Sequence, residues 1–226
     1  MRKSVCIFFV WTAFNASLCF AVESDNQVEF YLGHGSPLST VQASGSSDRA
    51  GSQGDVWSAD IMHHVNYQFY LGLGGGQFRS GDNVSQTYVP NANSSISTRS
   101  SSIFILSHQD LPASSPNLVP YVLGGIGWVR NTLTITAIPV APWPDTGTSE
   151  QRTLMEDSRD SIGIAAGAGM DWTLTSALFF GGEVRYQYAL ARSFSTTPKG
   201  QSTTGQSSAS SSMNNLFYSL KLGVKY

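Results

Sequence analysis

Four charged residues sit at alternate positions of strand-like sequence, and that spacing is the first chemical signal in the chain. Glu183 and Arg185 are two apart, Lys221 lies near the carboxy-terminus, and Glu29 lies near the start of the exported chain. Residues two apart on a strand share a face, so Glu183 and Arg185 point the same way. Asp60, Arg130 and Asp171 are further candidates for that face. Such residues can form a buried network only if they are paired and hydrogen-bonded, because an uncompensated buried ion costs several kcal/mol. Two readings follow: a structural network that fills an interior, or a narrow, gated path for ions or small solutes.

Three other groupings could do chemistry. His34-Gly35-Ser36 puts an imidazole and a hydroxyl two apart, a spacing at which the base could activate the nucleophile. The same Gly-Ser-Pro run also starts a turn without any catalytic role. His63 and His64 are adjacent, so on a strand they face opposite ways and chelate one metal poorly. No Cys or acidic partner stands at ligand spacing, and no metal or cofactor is expected. Gly72, Gly74, Gly75 and Gly76 are followed by neither a helix nor a P-loop lysine. They are expected to thin the inward wall of a strand or to permit a bulge.

The elements that must position these residues are strands. Backwards from the end, Tyr226, Val224, Leu222, Leu220, Tyr218 and Leu216 alternate with Lys225, Gly223, Lys221, Ser219 and Phe217. That is a period of two with one apolar face. The same alternation predicts strands over 28–33, 56–62, 67–78, 161–172 and 178–188. Two more, over 101–108 and 119–130, are apolar on both faces, and their facing is not assignable. The connections run long, short, long, short, long, short, long. The long ones are 36–55, 80–99, 131–158 and 191–215. Eight strands with this rhythm fit an up-and-down antiparallel membrane barrel, with short turns on one side and long loops on the other. About 9–11 residues per strand cross a bilayer when tilted. Trp172, Phe180, Tyr188, Tyr218 and Tyr226 then fall near strand ends, where amphipathic rings form girdles at the two interfaces.

Composition agrees. Only 12% of the 226 residues are charged, about half the share of a typical soluble domain. Residues 1–21 read as a cleaved signal peptide: Arg2 and Lys3, an apolar run from Val5 to Phe14, and small residues at Cys19 and Ala21. Cys19 offers a lipoprotein alternative, but the residues before it do not run in the usual small-residue order. Residues 22–226 form the single barrel domain. Both cysteines leave with the signal, and so do two of the 13 basic residues. The remaining 11 against 15 acidic residues give −4. Nothing here is basic enough for nucleic acid.

With EFYLGHG after the signal, PYVLGGIGW at the fifth strand, IGIAAGAGMDWTLTSALFFGGEVRYQY over the sixth and seventh, and LFYSLKLGVKY at the end, the chain resembles the small eight-stranded outer-membrane barrels. These are the OmpA transmembrane-domain and opacity-protein type. The resemblance covers residues 27–226. It implies a Gram-negative cell-envelope location, extracellular loops and an interior plugged by side chains. It also implies that Tyr218, Leu220, Leu222, Val224 and Tyr226 form the signal read by the barrel assembly machinery. The partners so implied are outer-membrane lipid, that machinery, and a host or surface ligand at the loops. No room follows Tyr226 for a peptidoglycan-binding domain, so cell-wall anchoring is not implied. Outer-membrane lipid A hydrolases of similar shape pair a His and a Ser with an acid, which is the enzymatic alternative for His34 and Ser36. The expectation is a non-enzymatic surface protein, with a narrow channel as the main alternative. A soluble lipocalin-like barrel is the alternative fold, with the polarity of the two faces reversed.

Overall fold

Alternation along each strand decides which side chains go in and which go out, and hydrogen bonding of neighbours closes the sheet. The computed structural model describes residues 26–43, 46–66, 68–85, 92–113, 115, 117–143, 146–195 and 208–226. The expected signal segment lies outside the described residues. The strands are β1 (Gln27–Pro37), β2 (Thr40–Ala43), β3 (Ser46–Arg49), β4 (Ser52–Asn66), β5 (Phe69–Gly81) and β6 (Asn83–Ser85). They continue as β7 (Ala92–Asp110), β8 (Leu118–Pro139), β9 (Arg152–Thr173), β10 (Leu178–Ser195) and β11 (Ser208–Lys225).

Eight of these make the barrel wall, in the order β1-β4-β5-β7-β8-β9-β10-β11. Every pairing is antiparallel, and β11 returns to β1 in register from Gln27↔Lys225 to Pro37↔Asn215. Closure removes the free edges that would otherwise template aggregation. The short connections β4–β5, β7–β8 and β9–β10 share one rim with the start of β1 and the end of β11. At that rim the Tyr226 amide donates to the Asn26 carbonyl at 2.9 Å. At the other rim, β2 and β3 form a hairpin that pairs with β11 through Val41↔Ser211, and β6 pairs with β7.

The outer wall is apolar around the lower part of the barrel. Leu220 is 75% exposed and Leu32 71%, and Leu73, Ile103, Ile126 and Ile162 are exposed beside them. A contiguous belt of this kind has no place in water. It fits a hydrocarbon solvent, in which only helices and closed barrels satisfy every backbone group. The polarity follows the membrane-barrel pattern and not the lipocalin one.

Strand β8 shows where the belt ends. Outward, Val122, Ile126 and Trp128 give way to Arg130, Thr132, Thr134 and Thr136, while inward lie Tyr121, Leu123, Val129, Leu133, Ile135 and Ala137. On β9 the outward change falls between Ile162 and Asp160. Above this level the barrel continues out of the membrane. Its interior becomes an apolar core of Ile96, Leu133, Ile135, Met155, Phe194 and Met213.

Three expectations change here. Arg130 was a candidate for the interior, but it faces out and binds Asp160 with two hydrogen bonds, 2.8 and 3.1 Å. Its parity follows Trp128, which is driven outward to the interface. The facing of the two ambiguous strands is now set: Phe104, Leu106 and His108 point in, Ile103 and Ile105 out. Finally, the barrel strands run well past the belt, so 131–139 and 152–158 are strand where loop was expected. On β8 the Thr-Leu-Thr-Ile-Thr-Ala alternation carries polar residues on the outside, so it shows no lipid-facing apolar stripe.

Candidate functional site

The interior of the membrane-embedded half is built from register. On adjacent strands Asp171, Gly181, Lys221 and Tyr31 lie opposite one another in a single row. Gly181 has no side chain to separate its neighbours. A Cβ there would lie 2.4 Å from Asp171 Oδ1 and 3.2 Å from Lys221 Cε. Lys221 therefore reaches over the glycine and donates to Asp171 Oδ2 at 2.8 Å, and to Glu29 Oε1 at 2.9 Å. Tyr31 O–H closes this half by donating to Glu29.

The same device recurs two residues higher. Tyr121, Gly169 and Glu183 are opposite one another on β8, β9 and β10. A Cβ on Gly169 would lie 2.3 Å from the Tyr121 hydroxyl. Over that gap Tyr121 donates to Glu183 Oε2 at 2.8 Å. Arg185 Nε donates to Glu183 Oε1 at 2.6 Å, and its terminal nitrogen crosses the lumen to Asp60 Oδ2 at 2.7 Å.

Aromatic faces join the two halves. Arg185 lies 4.9 Å from the centre of the Tyr31 ring, and Lys221 lies 4.0 Å from that of Tyr121. Both distances are within cation–π range. His108 stacks on Tyr121 with ring centres 4.3 Å apart and binds Asp110 at 2.8 Å, carrying the network toward the lower rim. Asp60 Oδ1 and Asp171 Oδ1 have no hydrogen-bond partner among the described residues. Four carboxylates thus share two basic side chains, so losing either base would leave buried negative charge without compensation.

The structure thus brings Glu29, Glu183, Arg185 and Lys221 into one cluster together with two of the further candidates, Asp60 and Asp171. The contributions of Tyr121 and His108 were not foreseen, because the facing of their strands was unreadable. What the cluster can do chemically is hold the wall together from inside. Its donors and acceptors are turned on one another.

The other candidates lie elsewhere. His34 faces outward, with Nδ1 3.2 Å from Asp55 Oδ1, and both side chains are more than three-quarters exposed. No hydrogen bond joins Ser36 to His34 among the described residues, so the base-to-nucleophile contact is not formed. His63 binds the Asn26 side chain at 2.7 Å, and the His64 ring lies against Tyr70. Trp172 and Phe180 are exposed near the lower rim and stack with ring centres 5.5 Å apart. Tyr218, Leu220 and Leu222 face out, while Tyr188, Val224 and Tyr226 are half-buried. Trp57 and Trp128 are also exposed on the outer wall.

Among solved structures, the outer membrane protein OprG from Pseudomonas aeruginosa superposes with a TM-score of 0.57. It shares 13% identity and covers 90% of this chain and 97% of its own. Neisserial surface protein A gives 0.47 at 12% identity, covering 90% and 98%. The former is a likeness of fold. A comparison with curated protein sequences finds no match. A family profile described as "Outer membrane protein beta-barrel domain" matches residues 7–226. With that match across nearly the whole length, on a closed eight-stranded wall with an apolar belt, the chain belongs to the outer membrane protein beta-barrel domain family.

Proposed function

We propose that this protein is a surface component of the bacterial outer membrane, a plugged barrel that anchors extracellular strands and loops for contact with other surfaces. It neither conducts nor catalyses. One observation carries the reading: the lumen is filled in series by two different plugs. In the membrane Lys221, Arg185 and their four carboxylates span it with Tyr31, Tyr121 and Phe179. Above the membrane the buried Ile96, Leu133, Ile135, Met155, Phe194 and Met213 close it again. An eight-stranded barrel has an interior just wide enough for side chains to fill.

A rigid scaffold leaves binding to its loops, and a host or surface ligand is the partner expected there. The outward residues Tyr218, Leu220, Leu222, Val224 and Tyr226 serve as the address for the barrel assembly machinery. Residues 1–21 direct export and are removed. Planar-bilayer recordings test the plug: no steps, or rare small ones, are expected, and large ohmic steps would contradict it. Deleting an extracellular loop should change adhesion to surfaces without changing the folded gel mobility. An altered lipid A profile on overexpression, abolished by His34→Ala, would show the non-enzymatic reading to be wrong.

A further inference from the structure

The outer wall carries a charge conflict that no ion pair among the described residues resolves. Arg79 on β5 and Arg99 on β7 are directly opposite in register, and both are exposed on the outer face. Like charges in directly opposed cross-strand positions are destabilising. Neither arginine is ion-paired among the described residues. Asp55, opposite Arg79 on its other side, turns to His34 instead. Arg130 nearby shows the contrast: it is held by Asp160, and its hydrogen bonds keep that carboxyl below its ordinary range.

Height places the pair at the edge of the apolar belt. Arg79 is ten residues up β5 from Phe69, and Arg99 ten up from Gln109, its register partner at the lower rim. At about 3.4 Å per residue and a tilt of roughly 35–45°, that is about 24–28 Å. The apolar band of such barrels is about 25 Å tall. Both guanidiniums therefore stand at the level of outer-leaflet headgroups.

Beneath them the wall is shaped for the rest of a lipid. Gln77 donates to Ser101 at 3.2 Å, a neutral polar step immediately below the charges. Below that, Gly75 opposes Ile103. A Cβ on Gly75 would meet only the Ser102 carbonyl at 3.1 Å and Ile103 Cγ1 at 3.7 Å. The wall there is bare, and an acyl chain can lie along it toward Leu73 and Ile105. We propose that Arg79 and Arg99 form a binding site for the phosphate of an outer-leaflet lipid, whose acyl chain descends over Gly75. Two guanidinium forks match phosphate oxygens bidentately, and the anion turns their repulsion into a shared contact. The apolar track below the charges selects a lipid over free phosphate.

The test uses the full chain folded in zwitterionic micelles, with folding checked by gel mobility before and after boiling. Short-chain phosphatidic acid, matched phosphatidylcholine and inorganic phosphate are titrated separately and bound stoichiometry is read by native mass spectrometry. Phosphatidic acid should bind at least about tenfold more tightly than the other two. Arg79→Gln or Arg99→Gln should each cost about tenfold, whereas Arg152→Gln should leave binding unchanged. Thermal unfolding gives a second readout. Without anionic lipid Arg99→Gln should melt above the wild type, and with phosphatidic acid below it. Unchanged binding in both arginine variants, inorganic phosphate binding as tightly as the lipid, or the same melting order in both conditions would each overturn the proposal.

Discussion

The lower and upper halves of this barrel are built by the same strands but with opposite polarity. In the lower half the outside is apolar and the inside holds Glu29, Asp60, Asp171, Glu183, Arg185 and Lys221. In the upper half the outside carries Thr132, Thr134, Glu156 and Asp160, and the inside is Leu133, Ile135 and Met155. Both halves are antiparallel ladders, with register shifts at Ile135/Thr136 and Ala189/Arg192 in the upper one. What differs is the solvent on the outer face, and each interior takes what its outside does not. In water, burial of Leu133 and Ile135 drives closure. In lipid that drive is absent, and specific packing and hydrogen bonding must hold the lumen instead.

Substitutions can break or sharpen this contrast. The largest effect is expected for Lys221→Met, which leaves Glu29 and Asp171 buried without their base. It should lower stability by about 3–5 kcal/mol, read from equilibrium folding into lipid vesicles. Next comes Leu222→Arg on the lipid face, at roughly 2–4 kcal/mol if it lies near the midplane. A small effect there would mean that the faces are reversed. In the upper core Ile135→Val should cost about 0.5–1.5 kcal/mol, the ordinary penalty of a water-driven core. The smallest change is expected for Thr134→Arg, within about 0.5 kcal/mol. It introduces the same charged side chain on the same outward face as Leu222→Arg, in the other solvent. If the two arginine substitutions cost the same, the polarity contrast fails.

Much of the lower half was legible in the sequence. On β1, β9, β10 and β11 the inward positions are mostly small, polar or charged, apart from Tyr31, Phe179 and Phe217, and the outward ones are largely apolar, so parity could be read directly. On β7 and β8 it could not, because Phe104, Leu106, Leu123 and Val129 face in while Ile103, Ile105, Val122 and Ile126 face out. Both faces are apolar there, for two different reasons. The misplacement of Arg130 came from the same ambiguity.

The partners of the interior charges were beyond reach for another reason. Lys221 and Glu29 are 192 residues apart and Arg185 and Asp60 are 125 apart. Their meeting depends on barrel closure and on the stagger of strands, and local sequence encodes neither. The role of Gly169 and Gly181 is visible only once the strands on either side are known. The upper part of β8 reads as loop because its alternation is threonine outside and leucine or isoleucine inside, the pattern of a water-facing sheet.

The most direct test follows the outer face of β8 across the change of solvent. Single cysteines at Val122, Ile126, Arg130 and Thr134, in the chain without Cys6 and Cys19, are spin-labelled in lipid vesicles. Collision with oxygen is then compared with collision with a water-soluble nickel complex. The account predicts oxygen-dominated collisions at 122 and 126 and nickel-dominated collisions at 130 and 134. Nickel access at 122 and 126 equal to that at 134 would contradict it.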